Sequence, residues 1–314
     1  DKYNRVFGVD YNLASEDNTW AGRYYLHKSV NPDDKGGNFS AQAITTYNKN
    51  NWVFINDWTY VDNDFTADLG FVPRTDIFKM GNFAQRFFFP KNREVINRNN
   101  VQLLFINYFR PKLNFKLTDY TLRGTWETEF ASNAKITANV FNQYILLTND
   151  FDPTRTDGGT PLPGNESYRF SYTNIEFTSN NTKLFSYGLN TTIGQFFNGN
   201  RYSVGGTLGY RWQPWGQFSL NVNYDGIKLP EPYESENYWL ITPRMDVTLN
   251  KSLFFNTLIQ YSNQRENFGI NARLQWRFAP LSDLFLVYND NYNSTEFTPR
   301  FRSINLKMTY WLNL

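Results

Sequence analysis

The chain has 314 residues and a formal net charge of +2, so it lacks the basic balance expected of a nucleic-acid-binding protein. It contains no cysteine, which excludes disulfides and thiolate metal sites. Aromatic residues make up 19% of the sequence, yet no apolar run approaches the roughly 18 residues of a transmembrane helix.

The first third of the chain predicts strands, but their patterning is irregular. A strand at Trp20–Lys28 carries the only histidine, His27, on its polar side. Around Trp52–Val61 and Ile77–Phe89 the apolar and polar residues do not separate onto two faces. Regular alternation begins further along, where Tyr120, Leu122, Trp126 and Phe130 oppose Thr121, Arg123, Glu127 and Glu129.

Alternating strands then recur to the end of the chain. They are predicted near residues 168–179, 184–197, 200–213, 216–229, 234–249, 252–262, 266–278 and 283–290, followed by a last strand within Arg302–Leu314. The clearest is Phe268–Phe278, in which Phe, Ile, Ala, Leu, Trp and Phe take one face and polar residues or glycine take the other. Its length of about 11 residues is what a tilted strand needs to cross a bilayer.

Long strands with one apolar and one polar face predict an all-β fold, a transmembrane antiparallel β-barrel of about 16–18 strands. A cation facing lipid at the bilayer midplane costs about 2–4 kcal/mol. The polar face holds Arg123, Arg201, Arg211, Arg273, Arg277 and Lys307. The charged residues predicted to face the lumen are Arg123, Glu127, Arg201, Arg211, Asp225, Arg244, Asp246, Arg273, Arg277 and Lys307. A soluble sandwich or propeller is the alternative. Strand length and the aromatic residues gathered at strand ends, such as Trp212 and Trp276, disfavour it.

The connections support the same architecture, because barrels of this class have short turns at one rim and longer loops at the other. Short turns are predicted near 131–133, 180–183, 214–215, 250–251 and 279–282, and longer loops near 29–36, 62–76, 111–118, 149–167, 230–237, 263–265 and 291–301. Two places break this rule, the long connection 90–99 and the tight hairpin at Asn198-Gly199. Pro243 removes a ladder donor in mid-strand and predicts a bulge.

The strand count of about 17 is odd, whereas single-chain bacterial barrels have an even number. Either a strand is miscounted in the irregular first third, or one lies upstream of Asp1. No signal peptide opens the chain. We therefore expect residues 1–314 to be one mature barrel domain, the C-terminal part of a longer protein whose N-terminal domain is not included.

The last strand ends on an apolar residue and resembles the C-terminal signal by which the barrel assembly machinery recognises outer-membrane proteins. The residues that fill this pattern are Lys307, Tyr310, Leu312 and Leu314. Thr309 stands where the signal usually has glycine, and Leu314 stands in place of the usual terminal aromatic residue.

Three stretches, Ala67–Arg74, Leu284–Asp290 and Thr309–Leu314, are similar to a family of large surface proteins of Bacteroidota. Its members carry an N-terminal family-9-like carbohydrate-binding domain, followed by a domain of unknown function that ends as an outer-membrane barrel. The resemblance covers the C-terminal part of such a protein. It implies a location in the Gram-negative outer membrane and a barrel architecture, and it assigns no sugar-binding residue to this chain.

Few residues suggest a catalytic or metal-binding site. His27 beside Ser29 could belong to a hydrolase, although a histidine of the lumen or rim is the simpler interpretation. Asp150, Asp152 and Asp157 could supply oxygen ligands to calcium, but their spacing matches no known calcium loop and a solvated acidic loop is favoured. The same alternatives apply to Glu231, Glu234 and Glu236.

The lumen charges are of mixed sign, so pairing across neighbouring strands is favoured over an ion-selective ring. Exposed aromatics such as Tyr233, Tyr238 and Phe297 could stack on sugars or belong to the outer aromatic girdle.

We expect that the chain is not an enzyme and that it has no catalytic residue, cofactor or bound metal. The expected partners are outer-membrane lipid, the assembly machinery, and other outer-membrane proteins or glycans. The first functional hypothesis is a barrel that anchors a glycan-binding surface module and passes solute. The alternative is a structural barrel subunit of a larger assembly, with a closed lumen.

Overall fold

In the computed structural model, residues 3–32, 36 and 38–312 are described, and their regular structure is β apart from a single 3-10 turn at Pro111–Leu113. Seventeen strands belong to one antiparallel sheet, which confirms the all-β fold and the strand count. No helix in the described part of the chain is long and apolar enough to cross a membrane. The closure of the sheet into a barrel stays a prediction.

The strands are β1 (Arg5–Ala14), β2 (Trp20–Val30), β3 (Phe39–Lys49), β4 (Trp52–Val61), β5 (Ile77–Phe88), β6 (Ile96–Arg110), β7 (Lys116–Phe130), β8 (Lys135–Leu146), β9 (Ser167–Thr178), β10 (Phe185–Phe196), β11 (Gly199–Trp212), β12 (Gly216–Lys228), β13 (Glu236–Thr248), β14 (Leu253–Ser262), β15 (Asn267–Ala279), β16 (Ser282–Asn293) and β17 (Pro299–Thr309). The long loops predicted at 62–76 and 149–167 are confirmed, since β5 begins at Ile77 and β9 at Ser167. The long connection predicted at 90–99 is present but shorter, at residues 89–95, because β5 ends at Phe88 and β6 begins at Ile96.

The chain forms two compact units. Unit 1 contains residues 1–131, 137–173 and 194–198, and unit 2 contains residues 132–136, 174–193 and 199–314. Within unit 1, each strand from β1 to β7 pairs antiparallel with the next one in sequence. Within unit 2, the same is true from β11 to β17. Both runs are therefore up-and-down meanders.

The sheet of unit 1 has two unlike faces. Its polar face is defined by Tyr25, Gln42, Thr59, Lys79 and Tyr108, which are successive cross-strand partners from β2 to β6. All five are only partly exposed. The opposite, apolar face carries large exposed side chains, including Phe7, Val9, Leu26, Trp58, Leu103 and Trp126. The more exposed face is thus the less polar one, the reverse of a soluble sheet.

The sheet of unit 2 repeats this inversion. Along β11, Tyr202, Val204, Leu208 and Tyr210 are exposed on the apolar face. Arg201 and Arg211 lie on the polar face and are less exposed. The alternation predicted from the sequence is therefore confirmed for this strand.

The irregular patterning of the first third has a structural cause. The polar face of unit 1 includes apolar side chains at Val53 and Ile55 in β4 and at Leu104 and Ile106 in β6. The apolar face in turn includes Asn56, which is exposed. Because both faces carry apolar residues here, the sequence alternation that marks a two-faced strand disappears even though the strands form.

Aromatic side chains form a band at one end of the unit 2 strands. The rings of Trp276 and Phe278 lie 5.7 Å apart, and Phe278 stacks on Tyr310 at 6.4 Å. Tyr210 and Trp212 stack at 6.4 Å at the end of β11. The clustering at strand ends that the sequence predicted is therefore present.

The bulge predicted at Pro243 is wrong. The register of β13 with β12 passes through Leu220↔Pro243 without a shift. Pairing with β14 is interrupted between Ile241↔Tyr261 and Arg244↔Leu258, and the register is the same on both sides. The strand tolerates the missing N–H by omitting ladder contacts on one side rather than by inserting a residue.

The turn between β1 and β2 is organised by Asp17. The Thr19 hydroxyl donates to Asp17 Oδ2 at 2.5 Å, and the Thr19 N–H and the Ser15 hydroxyl donate to Oδ1 at 3.0 and 2.8 Å. These bonds hold the pKa of the Asp17 carboxyl well below its ordinary value of 3.8, and the bond from the Thr19 hydroxyl has the largest effect. The turn is therefore stabilised by the ionised form of this side chain.

We expect Asp17→Asn to lower the thermal midpoint at pH 7, and the difference from the wild type to shrink as the pH falls below 3.8. A carboxyl whose pKa is lower in the folded state than in the unfolded state stabilises the fold at pH values above the unfolded-state pKa. This stabilisation is lost as the pH falls through the folded-state pKa. Circular dichroism melts across this pH range measure it, with the adjacent Glu16→Gln as control. A difference that does not change with pH would contradict this assignment.

Candidate functional site

The connection 62–76 between β4 and β5, which we name the strap, lies against the polar face of unit 1. Its Phe65 is buried with Val61 and Ile77, which end β4 and begin β5. Val72 of the strap and Tyr108 of β6 pack against this cluster. Val61 and Ile77 are cross-strand partners. The strap is therefore held by a small hydrophobic core built on the polar face.

Hydrogen bonds fix the strap to neighbouring strands. The Thr66 N–H donates to the hydroxyl of the buried Ser29 at 3.1 Å. Asn4 Nδ2 donates to Thr66 Oγ1 at 2.9 Å, and Asn4 Oδ1 accepts from the Asp68 N–H at 3.1 Å. These contacts join the strap to residues before β1 and at the end of β2.

A buried carboxylate fixes the end of the strap. Asp76 is 3% exposed and accepts hydrogen bonds from Arg110 Nε at 3.1 Å and from the Lys112 N–H at 2.9 Å. Its φ of 54° lies in the left-handed region, which aspartate tolerates better than most side chains. An ionised carboxylate at this depth requires its partners, since an unpaired buried charge is strongly destabilising.

The strap and the polar face together enclose a cavity of about 840 Å³. Its sheet wall includes Val6, Tyr25, His27, Ser40, Gln42, Thr59, Lys79 and Tyr108, and its strap wall includes Phe65, Ala67, Leu69, Phe71, Val72, Pro73 and Arg74. The cavity lies entirely within unit 1. It is a concave site with both apolar and polar walls, so we treat it as the candidate functional site.

A polar network centred on Asp57 lies in the sheet wall. Lys79 Nζ and Gln42 Nε2 donate to this carboxylate at 2.5 and 3.1 Å, and the Thr59 hydroxyl donates at 3.0 Å. Gln42 Nε2 also donates to Thr59 Oγ1 at 3.0 Å. The network connects three neighbouring strands and fixes the polar groups that face the cavity.

His27 lies in the sheet wall, on the polar side of β2 as predicted. Its Nε2 is 3.3 Å from Asp10 Oδ2, and its ring stacks on Tyr25 with centroids 4.4 Å apart. A Cβ added to Gly8 would lie 2.0 Å from the His27 ring, so glycine is needed there for this placement. The Ser29 hydroxyl is engaged by Thr66 rather than by His27. The structure therefore does not assemble the Ser–His pair considered from the sequence.

Most of the charged residues predicted to face the lumen lie on the polar face and are paired. In unit 2, Arg201 forms two bonds to Asp225 across β11 and β12, both at 2.7 Å. Asp246 accepts from Arg244 in its own strand at 3.0 Å and from Asn256 at 2.6 Å. This pairing is the arrangement favoured over an ion-selective ring.

The network continues along the next strands. Arg273 donates to Asn256 at 3.1 Å, and Arg277 donates to Asp283 at 3.1 Å. Arg211 faces Gln217, and Lys307 faces Phe285, each on the polar face. In unit 1, Glu127 accepts from Asn100 at 2.8 Å, and Arg123 is the cross-strand partner of Leu104. That these residues face a lumen stays a prediction.

One charged cluster lies on the apolar face of unit 2. Asp290 is 1% exposed and is the cross-strand partner of Ile270 and of Arg302. It accepts from Arg302 Nε at 3.0 Å, from the Tyr292 hydroxyl at 2.8 Å and from the Tyr288 hydroxyl. The ion pair and the two phenols all contact Oδ2 and lower the cost of a carboxylate among apolar side chains, whereas the buried Oδ1 has no hydrogen-bond partner among the described residues.

The carboxylates of Asp150 and Asp152 in the acidic loop 147–166 bind backbone N–H groups and do not form a cluster with each other. Asp152 accepts from the N–H groups of Thr154 and Thr156, both at 2.8 Å, and Asp150 accepts from the Gly164 N–H at 2.7 Å. Partial burial raises the pKa of the Asp152 carboxyl, but these hydrogen bonds outweigh it and the pKa is lowered. No group of metal-binding side chains occurs in the residues that the structure describes.

The remaining predicted residues lie in loops, after the last strand or near the beginning of a strand. Tyr310 and Leu312 follow β17 and are exposed, whereas Leu314 lies outside the described residues. Phe297 is exposed in the loop 294–298. Tyr233 lies in the loop 229–235, and Tyr238 lies within β13 on the polar face.

Sequence reasoning predicted the loop 62–76 but not its packing against the polar face, and it did not identify the Asp57 network. The usable signal was the apolar run Leu69–Val72, because a long loop with exposed apolar residues is unusual. The Asp76–Arg110 pair joins positions 34 residues apart and has no local sequence signature. The chain matches no protein-family model and no curated protein.

We expect Arg110→Ala to destabilise unit 1 by about 2–3 kcal/mol, less than the ~3–5 kcal/mol of a fully buried pair because Arg110 is partly exposed. The variant leaves the Asp76 carboxylate without its cation and should release the strap to proteases. Urea unfolding and limited proteolysis within 62–76 measure the two effects.

The matched control is Arg74→Ala, which breaks the more exposed Arg74–Asp119 pair of the same strap and should cost at most about 1 kcal/mol. Equal effects of the two substitutions would contradict the role assigned to Asp76.

Proposed function

We propose that this chain is an outer-membrane β-barrel of a Gram-negative bacterium that anchors a glycan-binding surface module and passes solute. The observation that carries the proposal is the inversion of the two faces. The exposed face of each unit carries Phe, Leu, Val, Tyr and Trp, and the less exposed face carries hydrogen-bonded polar side chains. Contiguous apolar surface of this kind marks contact with lipid or with another protein.

Two further observations support the membrane location. The strands of 10 to 15 residues match the length of tilted strands that cross a bilayer. The aromatic band at the strand ends of unit 2 matches the interfacial girdle of membrane barrels. The glycan-binding module and the bacterial phylum rest on the resemblance of Ala67–Arg74, Leu284–Asp290 and Thr309–Leu314 to the Bacteroidota surface-protein family.

A second function, a structural barrel subunit with a closed lumen, is favoured by the strap. The strap lies on the polar face, which would line the lumen of a barrel, and it is fixed there by the Phe65 core and by Asp76. A rigid segment in this position narrows the path available to solute.

We expect Val204→Arg, which places a cation on the apolar face in the middle of β11, to cost about 2–4 kcal/mol in a bilayer. Thr207→Arg, on the polar face of the same strand, should cost little more than its hydrogen bond to Asn221, about 1 kcal/mol. The yield of folded protein in lipid vesicles, read by its altered gel mobility before heating, compares them. Equal yields would remove the basis of the membrane assignment.

Conductance in planar bilayers separates the two functions. We expect the wild type to conduct, and a variant with residues 63–75 replaced by a short Gly-Ser linker to conduct more, because the strap would narrow the lumen. A silent wild type that conducts only after this replacement would overturn solute passage and favour the closed subunit.

A further inference from the structure

The two walls of the cavity in unit 1 differ in chemistry. The strap wall is apolar, with Phe65, Leu69, Phe71 and Val72, whereas the sheet wall carries the hydroxyl and amide groups of Tyr25, Gln42 and Thr59. We propose that this cavity binds a small neutral molecule that has an aromatic body and several hydroxyl groups. The aromatic body would lie against the strap, and the hydroxyl groups would face the sheet.

The size of the cavity fits a ligand of this kind. Its volume of about 840 Å³ lies within the range of roughly 300–1,000 Å³ that is usual for small-molecule sites. The Phe65 core and the bonds to Ser29 and Arg110 hold the strap in place before any ligand arrives. A preformed wall lowers the ordering cost of binding.

Two strap side chains are exposed although they line the cavity. Phe71 is 89% exposed, and Leu69 is fully exposed. Both would lose apolar surface to an aromatic ligand, and Phe71 could pack edge to face or offset against its ring. The exposure of large apolar groups at the mouth of a preformed cavity therefore points to an apolar part of the ligand.

The charges of the cavity indicate that the ligand is neutral. Lys79 and Arg74 of its walls already have carboxylate neighbours in Asp57 and Asp119, and the His27 ring lies 3.3 Å from the Asp10 carboxylate. An anionic ligand would be repelled by these carboxylates or would have to displace one of them. A cationic ligand would have to displace lysine or arginine from an existing pair.

The polar groups of the sheet wall suit hydroxyl groups. Tyr25 can both donate and accept, and Gln42 offers its carbonyl oxygen as an acceptor. The Gln42 amide and the Thr59 hydroxyl already donate within the Asp57 network, so Thr59 Oγ1 can serve a ligand only as an acceptor. The Asp57 network fixes Gln42 and Thr59 in one orientation, so they are positioned before binding. Ligand hydroxyl groups that bind Gln42 and Thr59 would exchange hydrogen bonds to water for hydrogen bonds to side chains of fixed orientation.

The test uses phenyl β-glucoside, a neutral aromatic polyol, with the full chain in lipid nanodiscs. Saturation-transfer NMR and a concentration series give the contact map and the Kd. We expect saturable binding, with stronger transfer to the phenyl protons than to the sugar protons. Glucose and phenyl phosphate should bind at least tenfold more weakly, because the first lacks the aromatic body and the second is anionic.

Two substitutions test the two walls. Phe71→Ser and Gln42→Leu should each weaken binding at least fivefold, and Phe71→Ser should also remove the excess transfer to the phenyl protons. Phe297→Ser is the matched control, because Phe297 is a loop phenylalanine that is 72% exposed and belongs to unit 2. It should leave the Kd unchanged.

Absence of saturable binding at millimolar glucoside would overturn the inference, as would equal binding of phenyl phosphate or an unchanged Kd in Phe71→Ser. Because the cavity is built within unit 1 alone, the inference does not depend on the proposed membrane function. Failure here would leave the comparison of Val204→Arg with Thr207→Arg unaffected.

Discussion

The constraint on which this structure depends is the separation of polar and apolar side chains onto opposite faces of each unit, with the apolar face the more exposed one. Water disfavours an exposed face of Phe7, Leu26 and Trp58, so this face requires lipid or protein cover. The polar face in turn requires internal partners. It has them in cross-strand pairs such as Arg201–Asp225 and Lys79–Asp57, which join neighbouring strands and leave few charges to solvate.

The strap departs from this scheme in unit 1. It brings Phe65 onto the polar face and supplies a buried hydrophobic cluster there, while Asp76 and Arg110 anchor its end. The same segment therefore does two things: it covers part of the polar face, and it provides one wall of a cavity. Narrowing a lumen and helping to bind a small molecule are compatible roles for one segment, because both require a fixed backbone.

The sequence predicts β11 and β15 of unit 2 closely because their polar and apolar residues lie on separate faces. In these two strands the type of each residue indicates which face it lies on. The faces of Arg201 and Arg273 could therefore be assigned from the sequence alone. Prediction is weaker in β4 to β6, where Ile55 and Leu104 lie on the polar face and hide the alternation. The cavity could not be predicted at all, because the contacts of Asp76 and Phe65 join distant positions and depend on how the strap folds back.

The most direct measurement of the central claim is fluorescence quenching by brominated lipids in vesicles. Two single-tryptophan variants would retain only Trp58 or only Trp126, both on the apolar face of unit 1. The account predicts strong quenching of each by lipids brominated along the acyl chain, and little quenching by iodide in the water phase. Strong iodide quenching with no effect of the brominated lipids would contradict a lipid-facing apolar surface.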